Sequence, residues 1–284
     1  MMRRYRLGAG LVALALLHYG LGLAVAAYLG VLRAQPLAWE GGLWLLLLVS
    51  GAFVLAEARP EGRKAQTPEA RRLLVIGFVF LAAAALTTTV LGWQGALSPT
   101  VAWLQALLAA VALAVGVPAW RQRLAGYEEC LLAAALALLA PALAFALQTA
   151  ALHRLLGMVG LPLCFLNFAA RLLWDFPLYA RQRRRGRRSL LMRLDWRLAF
   201  RLHNLALLTG FLLLALDGLL GLPWEVLWPC VVPLAAALVQ VWLVHRVGEG
   251  ARPLWPWLRA NAWLIVVLTA YFLALGFWSV GRAL

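Results

Sequence analysis

Nine stretches of the chain are apolar for about 20 residues each, and nothing else in the sequence limits its fold so tightly. They run over residues 8–32, 40–58, 72–92, 100–118, 128–148, 155–177, 199–220, 223–245 and 258–281. A helix rises 1.5 Å per residue, so about 20 apolar residues cross the ~30 Å hydrocarbon core of a bilayer. Strands of a membrane barrel would be about 10 residues long with alternating polarity, and these runs are longer and do not alternate. The sequence therefore predicts an all-α polytopic membrane protein, with nine transmembrane helices forming a single integral membrane domain over residues 1–284. Breaks between the runs fall at Pro36, Pro60, Pro68, Pro99, Pro118, Pro223 and the Arg/Gly stretch 181–188. With 13% charged residues, against about 25% in soluble domains, the chain could not cover a water-facing surface, which excludes an ordinary soluble enzyme. The apolar content equally excludes disorder. The first apolar run is long and lacks a small-residue cleavage site, so no cleavable signal is expected.

Charge orients the bundle. The formal net charge is +15, and Lys64 is the only lysine. Basic residues collect before span one (Arg3, Arg4, Arg6) and between spans two and three (Arg59, Arg63, Lys64, Arg71, Arg72). They continue after span four (Arg121, Arg123), after span six (Arg181 to Arg201) and after span eight (Arg246, Arg252, Arg259). The alternate loops hold only Arg33, Arg154 and Arg282. The positive-inside rule then puts the N-terminus in the cytoplasm, in a bacterial-type inner membrane. Polar chemistry, and the way in for any water-soluble reactant, is expected on that face. Because the arginines sit in short loops between apolar runs, nucleic acid is not an expected partner, whereas anionic lipid or a phosphate-bearing substrate is. Cys130, Cys164 and Cys230 lie in separate apolar runs without CxxC spacing, so neither a structural disulfide nor a zinc site is expected.

Few side chains are left to carry chemistry. Span two runs out in Phe53-Val-Leu-Ala-Glu57-Ala-Arg-Pro-Glu61. Glu57 and Glu61 would share a face if the helix continued, and paired carboxylates at a membrane boundary can hold Mg²⁺, which prefers oxygen ligands. The competing reading is an interface pair neutralised by Arg59, Arg63 or Lys64. Asp175, at the end of span six, lies close to hydrocarbon, where a carboxylate is costly and by default functional. Its alternative is an i,i+4 ion pair with Arg171. Asp195 reads as a solvated partner in the basic loop, and Asp217, near the opposite end of span seven, reads as structural. The run Arg181 to Arg188 could grip a diphosphate through guanidinium forks or anchor to anionic lipid. Arg121 and Arg123, beside Gly126-Tyr127-Glu128, form a smaller basic site. His18, His153, His203 and His245 fall on four different elements and read as hydrogen-bonded packing residues rather than metal or haem ligands. Trp39, Trp44, Trp93, Trp224, Trp228, Trp255 and Trp257 are expected in the interfacial aromatic belts.

Nine spans with acid-plus-basic segments after spans two and six resemble the UbiA-type intramembrane prenyltransferases. Further stretches agree: Pro118-Ala-Trp-Arg121-Gln-Arg123-Leu-Ala-Gly126-Tyr-Glu128, Pro141 to Gln148, Leu161-Pro162-Leu163, Gly186-Arg-Arg-Ser189-Leu190 followed by Arg193-Leu194, Leu222-Pro223-Trp224, and Pro233-Leu234. The resemblance is diffuse, covers nearly the whole chain and is nearest the dihydroxynaphthoate prenyltransferase branch. Its N-x-x-x-D-x-x-x-D motif reads Phe53, Glu57, Glu61 here. The two aspartates of the second motif fall on Leu178 and Gln182, leaving Asp175 upstream. The resemblance implies transfer of a prenyl group from a prenyl diphosphate to an aromatic, quinone-precursor-like acceptor. Glu57, Glu61 and Asp175 would then be the catalytic and Mg²⁺-holding acids, and Lys64, Arg121, Arg123, Arg187 and Arg188 the diphosphate contacts. The alternative is a non-catalytic protein of this fold that binds a quinone, pigment or isoprenoid lipid, on its own or as a subunit of a membrane complex. A small transporter is less well supported, because no span has a Gly/Pro-interrupted polar midsection.

Overall fold

A computed structural model describes residues 2–32, 36–58, 68–117, 120, 123–124, 126–179 and 189–283. Glu61, Lys64, Arg121, Arg187 and Arg188 lie outside the described residues. Within these limits the chain is helical, without a strand, and nine helices are long and apolar enough to cross a membrane. Those spans are Gly10–Tyr28, Trp39–Glu57, Pro68–Trp93, Pro99–Gly116, Glu128–Thr149, Arg154–Asp175, Trp196–Leu219, Trp224–Gly248 and Trp255–Arg282. The architecture is the polytopic all-α bundle that the hydropathy predicts.

The helix boundaries explain how the prolines act. Pro36, Pro68 and Pro99 are the first residues of their helices. They mark starts, because the first turn has no internal partner for the N–H that proline lacks. Ser98 caps the fourth span, its Oγ accepting from Val101 N–H at 3.3 Å. Span five holds an internal irregularity: Glu128–Ala134 and Ala140–Thr149 are α-helical, and Ala135–Leu139 is a π turn. Pro141 has no N–H to offer Ala137, four residues back, and the widened turn is how the helix absorbs that defect. Gly160 of span six packs against the same point. A Cβ there would lie 2.8 Å from the Ala137 carbonyl oxygen and 2.7 Å from the Leu138 side chain.

The described chain forms two compact units, and span five is shared between them at the π turn. The first unit holds residues 1–26, 31–124 and 139–152. Span two is its centre, packed on spans three and four and on the 140–149 helix. Span three buries only Gly77, Ala84 and Leu91, a stripe seven residues apart that makes one narrow helix–helix seam. Its other faces carry exposed Val75, Phe78, Val79 and Leu86, suited to lipid. Across that seam Trp44 donates its indole N–H to Thr88 Oγ1 at 2.9 Å. Trp44 is 2% exposed, so it does not belong to the aromatic belt where its sequence position placed it. An indole this deep is tolerable because its N–H has found an acceptor.

The second unit holds residues 27–30, 125–138 and 153–284. Spans six and seven are its best-packed pair. Between them the His203 Nδ1 sits 2.9 Å from the Ala169 carbonyl oxygen, and since a carbonyl only accepts, the imidazole donates. His18 makes the equivalent contact with Leu14 O at 2.8 Å inside span one. Both histidines are fully buried and hydrogen-bonded, as packing residues should be. Spans eight and nine are joined by side-chain amides. Asn261 Nδ2 donates to Gln240 Oε1 at 2.9 Å and to Ala236 O at 3.0 Å, and Gln240 Nε2 donates to Leu258 O at 3.2 Å. In hydrocarbon such interhelical bonds are worth about 0.6–2 kcal/mol each.

Where span six ends, aromatic rings gather. Phe176, 1% exposed, stacks on Phe200 with centroids 4.4 Å apart and on Trp255 at 6.0 Å, and meets Trp196 edge-on at 5.1 Å. Trp174 meets Trp263 edge-on at 6.1 Å and carries the Arg259 guanidinium 4.8 Å above its ring. Trp255, half-buried at the start of span nine, packs into the first of these clusters. Trp39, Trp93, Trp224, Trp228 and Trp257 are exposed, as belt residues must be.

Candidate functional site

Asp175 closes the helix of span six and leads into a short 3-10 turn, Phe176–Leu178. The Phe176 cluster pins the residue immediately after it, so the half-buried Asp175 has little freedom to wander. The neighbouring helix that faces this end is the first turn of span five, which packs on span six. Its first residues are Glu128 and Glu129, capped by Tyr127. A helix N-terminus presents unpaired N–H groups and favours negative charge, so two consecutive acids are locally well placed there.

The two acids differ in environment. Glu128 is half-buried. Glu129, one position and ~100° further round the helix, is only 3% exposed. Neither Oε1 nor Oε2 of Glu129 has a hydrogen-bond partner. The backbone N–H groups of Glu129 itself and of Leu190 lie near enough to act on the carboxylate without closing a well-formed hydrogen bond, and Asp175 and Glu128 are within Coulombic range. Sequence reasoning missed Glu129. The available signal was an acid already inside the first turn of an apolar run, followed directly by Cys130-Leu-Leu.

Gly126 and Tyr127 directly precede these acids, and Arg193 packs against both. Gly126 has φ +94°, a conformation that side chains rarely adopt, and a Cβ there would fall 2.8 Å from Arg193 Nε. The missing side chain is what admits Arg193, whose guanidinium lies 5.1 Å from the centre of the Tyr127 ring. Ser189 is buried and starts the short helix Leu190–Leu194. Arg193 thus lies against the Gly126-Tyr127 segment. Arg123 itself is exposed, and Arg121 lies outside the described residues.

Glu57 ends the helix of span two, half-buried, within the first unit. The helix ends there, and Ala58 already lies outside it. Glu61, which would share a face with Glu57 if the helix continued, lies outside the described residues. Asp195 is exposed, as expected of a loop acid, but with φ 66° and ψ 157°. It ends one helix and starts the next. Asp217 sits near the far end of span seven, half-buried. His153 caps span six by accepting from Leu155 N–H at 3.3 Å, and His245 pairs with Glu249 at 3.4 Å on the surface. Among the described residues, no three His, Cys, Asp or Glu side chains converge to hold a metal ion by themselves.

No protein-family model matches the sequence, and no curated protein matches it. Solved structures do match in fold. The chain superposes on digeranylgeranylglyceryl phosphate synthase with a TM-score of 0.65 at 7% identity, covering 99% of this chain and 100% of that one. A UbiA homologue from Archaeoglobus fulgidus, bound to GPP and Mg²⁺, matches with a TM-score of 0.64 at 15% identity over 95% and 98% of the two chains. The apo UbiA homologue from Aeropyrum pernix K1 matches with a TM-score of 0.58 at 13% identity over 92% and 96%. The fold is therefore that of the UbiA-type prenyltransferases, over nearly the full length of the chain.

Proposed function

We propose that the protein is a divergent intramembrane prenyltransferase, moving a prenyl group from a prenyl diphosphate to an aromatic, quinone-precursor-like acceptor. The observation that carries this reading is the near-complete fold likeness to a homologue bound to GPP and Mg²⁺. The acids at the end of span six and the start of span five give that part of this chain a concentration of charge. The basic loops support a cytoplasmic N-terminus and a reaction on the cytoplasmic face of the membrane, within one integral domain. An aromatic acceptor follows from the sequence resemblance to the dihydroxynaphthoate branch.

The residues fit a metal–diphosphate substrate in kind. Glu57, Glu61 and Asp175 offer hard oxygen ligands, which Mg²⁺ requires, and Mg²⁺ typically completes its shell with phosphate oxygens and water. A bound Mg²⁺ would supply charge that makes the diphosphate a better leaving group. Arg123, with Lys64, Arg121, Arg187 and Arg188, would hold the phosphate oxygens through charge-assisted hydrogen bonds. The apolar walls of the spans would keep water from the reacting carbon.

The test is conversion of radiolabelled geranylgeranyl diphosphate with a panel of aromatic acceptors, using membranes vesiculated in either orientation. Labelled lipid product is expected in inverted vesicles and not in right-side-out ones, because a diphosphate does not cross the bilayer. Glu57→Gln should abolish the product. Absence of product from detergent-purified wild type, with an isoprenoid lipid or quinone still co-purifying, would replace catalysis by the binding-protein reading. That second reading has its own support in Leu178 and Gln182, where the resemblance calls for acids.

A further inference from the structure

Arg201 stands on the wrong side of its helix for a charge inside a membrane protein. Ionisable side chains within a span normally face the protein interior and meet a partner there. Arg201 lies five residues into span seven, Trp196–Leu219, and is exposed. Exposed Leu205, Leu208 and Leu212 follow it at helical spacing on the same face, so the stripe that carries this guanidinium is otherwise lipid-facing leucine. Among the described residues no carboxylate pairs with Arg201, or with exposed Arg197 one turn before it. The helix dipole offers no compensation, because both lie at the N-terminal end of span seven, where it favours negative charge.

Span eight brings a third arginine to the same level. Asn204 Nδ2 donates to Val241 O at 3.5 Å, which sets the register of these two packed helices. The short turn at 220–223 makes them antiparallel. At 1.5 Å per residue, Arg201 is about 4.5 Å and Arg246 about 7.5 Å from that bond, toward the same end. Arg246 is exposed, and its guanidinium lies 5.7 Å from the centre of the exposed Trp242 ring. Toward the bilayer centre, exposed Leu238 and Val239 continue the apolar surface. Glu249, the acid nearest in sequence to Arg246, is engaged by His245 at 3.4 Å.

We propose that the lipid-facing side of spans seven and eight binds one anionic phospholipid, its phosphate held by Arg201 and Arg246 and its acyl chains laid along Leu205, Leu208, Leu212 and Leu238. A guanidinium fork matches phosphate oxygens, and an arginine on a lipid-facing stripe reaches the headgroup layer along its own stem. The counter-charge that the protein does not provide is then supplied by the lipid. With Arg197 beside them, the arginines leave a positive surplus over one phosphate, which favours a headgroup of net negative charge over a zwitterionic one. Trp242 sits as an interfacial indole does and steadies Arg246 against its ring. Lipid binding of this kind does not depend on whether the protein transfers prenyl groups.

Native mass spectrometry of the full chain in detergent, titrated with dioleoyl phosphatidylglycerol or dioleoyl phosphatidylcholine, counts the lipid molecules retained. Wild type should hold one phosphatidylglycerol and retain phosphatidylcholine only weakly. Arg201→Gln and Arg246→Gln should each weaken phosphatidylglycerol retention about 10-fold, the usual worth of a charge-assisted hydrogen bond. Arg201→Lys, which keeps the charge without the fork, should weaken it less. The double substitution Arg71→Gln and Arg72→Gln removes exposed charge at the start of span three and should bind as wild type. Melting midpoints without added lipid should match across all variants, because only exposed side chains are exchanged. Phosphatidylglycerol should then raise the midpoint of wild type and not that of Arg201→Gln. Undiminished retention in Arg201→Gln, equal retention of the two lipids, or an equal loss in the span-three control would overturn the proposal. So would a dimer that forms without lipid and dissociates in Arg201→Gln, which would assign this face to a second copy of the chain.

Discussion

Asp175→Asn is expected to lower prenyl transfer about 100-fold, the equivalent of ~3 kcal/mol of transition-state stabilisation. The substitution keeps the size of the side chain and its capacity to accept a hydrogen bond, and removes only the charge. The thermal midpoint in detergent should therefore move little. If Asp175 served instead as the i,i+4 neutraliser of Arg171, the result would invert: stability would fall and turnover per folded molecule would persist. Steady-state rates at saturating diphosphate, compared with the melting curve, separate the two. Asp195→Asn is the matched control, an exposed acid outside the candidate site, and its turnover should equal that of wild type.

Phe176→Ala should cost about 3–5 kcal/mol of stability, the range for deleting a fully buried aromatic ring. The ring stacks on Phe200 and Trp255 and meets Trp196 edge-on. Its loss would open a cavity lined by three aromatics that cannot all move inward. It would also free the turn that holds Asp175, so residual activity should fall further than the folded fraction does. Phe176→Leu, which refills most of the volume, should recover the greater part of both. A thermal melt followed by tryptophan fluorescence, paired with turnover, checks this.

How far these features could be read in advance depends on the physics that fixes them. Span number follows from bilayer thickness, which imposes the same length on every crossing, so nine runs of leucine, alanine and valine sufficed. The helix starts at Pro36 and Pro68 lie four residues upstream of the apolar runs, because polar residues such as Glu69 and Arg71 complete a first turn beyond hydrocarbon, whereas Pro99 lies only one residue upstream. Burial of Trp44 was not legible, since its depth depends on Thr88 in another span. The distinction between Glu128 and Glu129 was equally hidden. Two adjacent acids are equivalent in a string of letters, and only the rotation of span five about its axis decides which is withdrawn from water. Asp175 was legible because an acid at the end of an apolar run is unusual whatever it packs against. The chain can diverge to 7–15% identity from its structural neighbours and keep the fold, because small residues in the seams and apolar residues elsewhere satisfy it with many sequences.

The amide clasp between Gln240 and Asn261 has a bearing on how the chain is made. Span eight emerges from the ribosome before span nine, so for a time the Gln240 amide faces lipid or the insertion machinery without Asn261 and the Leu258 carbonyl. A chain arrested or truncated after residue 248 would therefore display an unsatisfied amide within the bilayer. Insertion of span nine beside span eight would then end that exposure by satisfying the Gln240 amide.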